Sequence, residues 1–212
     1  FKLITYYIIM NISDLKHGDL VLVNNKSSNY LFSMFLNMIK WGTHSDYTHV
    51  AIIIENPIFS EKTLNGKYVW QSSYDGCPDP QDNKIKLGVQ LTKLEDFLEH
   101  YKNVNIFIRR FSDTTLFTNE KLKKAHTIVY DKPYDIYPKD WIEALIQNDS
   151  NPQKIDRFWC SALVGFILTN IGILQSNTDW SIMRPCDFAL DGENLKYASD
   201  AKLEQIEYKL LS

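Results

Sequence analysis

Two residues of this chain have the chemistry of a nucleophile and its base. Cys160, in RFWCSALVGFIL at 157–168, stands just ahead of apolar residues at Leu163, Val164, Ile167, Leu168 and Ile171. That i, i+3, i+4 spacing is the buried face of a helix. A cysteine at a helix N-terminus feels the positive end of the dipole and the free N–H groups of the first turn, so its thiolate is favoured. His49, in SDYTHVAIII at 45–54, opens the run Val50 to Ile54, too β-branched and too short for anything but a buried strand. A histidine brought beside the cysteine would take its proton and complete a pair for acyl transfer. Packing is the competing explanation, because free cysteine is among the most buried residue types. Against it stand Ser161 and Ala162, small residues that leave the sulfur open and let the helix pack closely. Spacing alone does not bring residues 49 and 160 together.

The other two cysteines compete poorly. Cys77, in DGCPDP, lies in a loop where Gly76, Pro78 and Pro80 forbid regular structure, and Cys186, in RPCDF, follows the turn-forming Pro185. Three widely spaced cysteines without a C-x-x-C pair give no zinc ribbon or dithiol centre, and an odd count argues against a disulfide framework. No metal and no cofactor is expected. His17, His100 and His126 have no motif around them and read as surface residues.

The elements that must position the pair follow from pattern. The 212 residues make one ordinary domain, with 44% apolar and 23% charged residues in the globular range and a net charge of −3 that gives no footprint for nucleic acid. Residues 1–13 read as an N-terminal extension, Met10 being a natural start, and 14–212 as a single domain. The apolar run at residues 1–10 is too short to span a bilayer and lacks a signal-peptide cleavage pattern, so a soluble, cytoplasmic or virion-associated protein without integral membrane association is expected. Strands are predicted at 20–23, 49–55, 67–73, 89–91 and 104–111. A turn at Asn65-Gly66 favours a hairpin into the third of them. Helices are predicted at 30–41, 94–101, 119–130, 139–147 and 158–171. The fold class is α+β, an antiparallel sheet with helices packed on it.

GDLVLV at 18–23, SDYTHVAIII, YVWQSS at 68–73, KPYD at 132–135 and WCSALVGF at 159–166 together resemble the circularly permuted branch of the NlpC/P60 papain-like superfamily, which includes relatives of the lecithin:retinol acyltransferases. The resemblance spans roughly residues 14–190. It implies a permuted papain-like fold in which a strand supplies the base, His49, before a C-terminal helix supplies the nucleophile, Cys160. It also implies a third residue on the strand after the histidine strand, often glutamate, which orients the imidazole. The matching position is Gln71. A glutamine can accept the imidazole N–H but stabilises an imidazolium less than a carboxylate does. Glu55 is the rival, yet six residues along an extended strand place it about 20 Å from His49.

Tyr134 and Asp135, in KPYD, match a family segment that could line the substrate groove. Tyr47 could add a hydroxyl near the site, His44 is a loop residue beside it, and Ser161 caps or packs the helix start. The resemblance implies a thiol hydrolase that cleaves an amide or ester bond in a small peptide, amide or acyl substrate through a Cys160 thioester. Transfer of acyl chains between lipids is an alternative within the family. A catalytically silent papain-like binding module, or a virion structural protein, is the alternative outside catalysis, and Gln71 in place of glutamate is its main support.

Overall fold

The computed structural model describes residues 8–24, 46–59, 62–135, 155–192 and 195–211. Its strands are β1 (Ile8–Met10), β2 (Leu20–Asn24), β3 (His49–Glu55), β4 (Lys67–Ser73), β5 (Gly88–Lys93), β6 (Asn105–Phe111) and β7 (Leu203–Leu210). Its α-helices are α1 (Leu94–His100), α2 (Asn119–Val129) and α3 (Cys160–Asn170). The seven strands form one sheet in the order β1-β7-β6-β2-β3-β4-β5, antiparallel throughout except for the parallel β1–β7 pair. The class is α+β. The predicted helices at 30–41 and 139–147, and His44, lie outside the described residues.

Three differences from the sequence pattern have local causes. Helix α3 starts at Cys160 because Phe158 is held extended, in a bridge to Tyr134. The last strand, LEQIEYKL, carries charged residues among its apolar ones, which masks its period. Ile8–Met10, within the segment set apart as an extension, adds β1 to the sheet and buries Met10.

Alternation along the strands divides the interior in two. Val50, Ile52 and Ile54 of β3 face the core that α2 and α3 cover. Ala51 and Ile53 face a smaller core under α1, with Phe97 and Tyr101. A central strand covered on both faces must be apolar throughout, which is why β3 reads as a continuous run. His126, predicted at the surface, is instead buried, stacked near Phe59 and Trp70 with Nε2 at 2.6 Å from Gln81 Oε1.

One irregularity of the sheet matters for the site. Strands β3 and β4 pair from Glu55↔Lys67 to Ile52↔Trp70 and then part, whereas β4 stays paired with β5 as far as Ser73↔Gly88. Ile53 donates to the Asp19 carbonyl next to β2 (2.8 Å). By alternation, Val50 turns its N–H the other way, into the gap that β4 has vacated.

Candidate active site

The gap is where the two faces of the sheet communicate. His49 shares the face of Ala51 and Ile53, under α1, while Cys160 opens α3 on the opposite side. The segment leading into α3 enters at the parted strands, where the Ser72 hydroxyl donates to the Phe158 carbonyl (2.6 Å). Two residues later Cys160 comes within reach of the Val50 N–H, which favours its thiolate form. Val50 and His49 share a peptide unit, so the residue that carries the imidazole adjoins the one whose N–H acts on Cys160.

The imidazole is held from several sides. Its Nε2 lies 2.8 Å from Gln71 Oε1. Tyr101 stacks on it, with ring centroids 6.1 Å apart and planes at 22°, and Phe97 lies beyond at 6.5 Å. The Gln71 amide nitrogen donates to Asp75 Oδ2 and to Thr92 Oγ1, each at 2.9 Å, and Thr92 in turn donates to Asp75 Oδ2 (2.6 Å). A carboxylate only accepts, so the Gln71 nitrogen must face Asp75 and its oxygen must face His49. The Nε2 position therefore carries the hydrogen, and the basic lone pair sits on Nδ1. Glu55 takes no part: it is exposed at the far end of β3, where its backbone N–H donates to His17 Nδ1 (3.0 Å).

Charge in the resting pair is set by burial. Cys160 is 5% and His49 7% exposed. Desolvation lowers the His49 pKa to about 4, against the Gln71 hydrogen bond and the Asp75 charge, which raise it. Burial likewise pushes the Cys160 thiol up, against the N–H groups of Val50, Ser161 and Cys160 itself, which favour the thiolate. A helix-terminal cysteine is expected as a thiolate. Here desolvation outweighs the helix terminus, and the resting pair is thiol and neutral imidazole.

The three groove residues have different fates. Tyr134 is half-buried and bridged to Phe158, and its hydroxyl is pushed well up by burial first and then by the neighbouring Cys160. Asp135 is buried and its N–H donates to the Phe158 carbonyl (3.3 Å), so the KPYD segment braces the approach to Cys160. Tyr47 is directed across the sheet instead. Its ring meets Phe107 edge-on and its hydroxyl donates to Glu207 of β7. Ser161 anchors the helix start by donating to the Met183 carbonyl (2.7 Å), which also accepts from Trp159 Nε1 (3.2 Å).

Asp75, Thr92 and Tyr101 belong to the site without a sequence motif to announce them. Tyr101 looks like the last apolar residue of a short helix, yet it stacks on His49 and lies within electrostatic reach of Cys160 and Asp75. Thr92 becomes legible only from the β4–β5 register, which sets it opposite Val69 on the face of Gln71. Asp75 follows Gln71 by four residues, past the end of the strand. Among the described residues no cluster of three or more metal-ligating side chains occurs, and no helix is long and apolar enough to cross a membrane. No protein-family model and no curated protein matches this chain.

Proposed function

We propose that this chain is a thiol hydrolase of the permuted NlpC/P60 papain-like type, acting on amide or ester bonds. The observation that carries the reading is the fixed tautomer of His49: Nε2 is committed to Gln71, which leaves Nδ1 as the basic nitrogen of a ring whose chain neighbour, Val50, directs its N–H toward Cys160. As Cys160 attacks an acyl carbon, its thiol proton passes to His49 Nδ1, the S–C bond forms and the carbonyl oxygen becomes an oxyanion. N–H groups at the start of α3 are suited to receive that charge. Collapse expels the amine or alcohol, which takes the proton from Nδ1 and leaves a thioester. Water then attacks the thioester, giving its proton to Nδ1, and the sulfur departs and is reprotonated. An acyl acceptor in place of water would make the same site a transferase.

The burial of the pair favours a second reading, a papain-like module that binds without chemistry. A panel of small thioester, ester and peptide-amide substrates separates the two. Turnover by the parent that is lost in Cys160→Ser, with an unchanged circular dichroism spectrum, supports the hydrolase. Turnover that survives in Cys160→Ser, or none in the parent on any substrate, favours the binding module.

A further inference from the structure

We infer that Asp75 is a positioning residue that acts on His49 through Gln71, fixing the imidazole tautomer and supplying the negative charge that the glutamine lacks. The inference rests on the thiol-hydrolase reading and names a fourth residue for it. Three donors converge on the Asp75 carboxylate: the Gln71 amide and the Thr92 hydroxyl on Oδ2, and the Cys77 N–H on Oδ1 at 2.9 Å. The side chain is buried, at 8% exposure, and among the described residues no lysine or arginine pairs with it. A buried carboxylate without a cationic partner is costly unless hydrogen bonds or a transient cation compensate it. The group in its network that becomes cationic during acylation is His49.

The relay also explains why a glutamine stands here. A carboxylate in direct contact with the ring would favour a standing ion pair. With an amide between them, the resting imidazole stays neutral and free to accept a proton, while the charge behind the amide polarises it toward the ring. The ionisable groups facing His49 are Asp75 from the β4–β5 connection and His100 and Tyr101 at the end of α1, and Tyr101 in turn lies within electrostatic reach of Cys160. Asp75 favours the imidazolium and His100 opposes it.

The arrangement makes a polarity swap decisive. Gln71→Glu alone sets two carboxylates face to face, so they must share a proton and the histidine gains no full charge. Asp75→Asn alone removes the charge and forces one of the three donors onto an amide N–H. In Gln71→Glu/Asp75→Asn the amide at 75 donates to a carboxylate at 71, which accepts directly from His49 Nε2.

The test reads His49 in the whole chain by its ring ¹⁵N and ¹³C resonances against pH, together with alkylation of Cys160 by iodoacetamide. The double variant should titrate His49 at least about one pH unit above the parent while keeping the Nε2–H tautomer. Asp75→Asn should populate the Nδ1–H tautomer and slow alkylation about tenfold at neutral pH, and the swap should restore the rate. If Asp75→Asn does not fold, the double variant decides alone. A double variant that titrates with the parent overturns the inference. So does an Asp75→Asn protein that keeps the parental tautomer and rate while His49→Ala is slowed, and then the hydrolase reading stands. If His49→Ala itself alkylates like the parent, the hydrolase reading falls instead, and the inference with it.

Discussion

The Ser72 hydroxyl donates to the Phe158 carbonyl at 2.6 Å, at the place where β3 and β4 have parted. This bond ties the chain entering α3 to the strand that carries Gln71, one residue from the imidazole's partner. Cys160 and Gln71 are thereby fixed in one frame, although they lie 89 positions apart in sequence.

Ser72→Ala should therefore loosen the Cys160 approach more than it destabilises the fold. The Phe158 carbonyl keeps the Asp135 N–H, so the stability loss is about 1 kcal/mol in a denaturant titration. Turnover should fall roughly ten- to a hundredfold through misplacement of the sulfur. A variant with parental kcat would show that the clasp does not position Cys160.

Alkylation of Cys160 should follow the neutral resting pair. Because burial raises the thiol, the iodoacetamide rate should climb above pH 8 without a plateau near pH 7. His49→Ala should slow it by removing the acceptor of the thiol proton. An early plateau in the parent would mean that a thiolate–imidazolium pair exists at rest.

The histidine also links stability to pH. His49 has a folded pKa of about 4 against an ordinary 6.5, so the unfolded chain binds its proton first as pH falls. Stability is complete above pH 6.5 and declines as pH falls toward 4, by on the order of 3 kcal/mol for this fully buried ring. His126, lowered to about 4 by burial and then by Lys86, acts in the same direction. Urea midpoints between pH 4 and 7 should rise with pH, and His49→Gln should make the rise shallower.

Gly165→Ala tests the packing of the helix that Cys160 opens. A Cβ there would lie 2.5 Å from Met183 Sδ and 2.9 Å from Trp180 Cβ. Alanine's helix preference of about 1 kcal/mol is set against overpacking of about 1–3 kcal/mol. Net destabilisation is expected, with a shift at Met183, whose carbonyl holds Trp159 and Ser161. A variant more stable than the parent would show that this contact yields freely.

Much of the frame was legible because burial and period coincide. The run Val50 to Ile54 announces a doubly covered strand, and the apolar spacing after Cys160 announces its helix. Placement of Gln71 beside His49 follows from the hairpin order once both strands are recognised. What could not be read depended on register and on empty space. Asp75 and Thr92 converge on Gln71 through a loop and a cross-strand pairing that no local pattern encodes. The charge state of Cys160 escaped for a similar reason. Sequence shows the helix terminus but not the desolvation, and here desolvation wins.

The uncharged resting pair has a consequence for chemical survival. Peroxides attack thiolates, and the first product, a sulfenic acid, leads on to irreversibly oxidised forms. A cysteine whose thiol burial keeps protonated offers such oxidants little to react with. Half-buried Cys77, also pushed up by burial and by Asp75 and Asp96, is shielded in the same way. The burial that holds the Cys160 thiol protonated thus preserves it, and readiness is exchanged for endurance under oxidative stress.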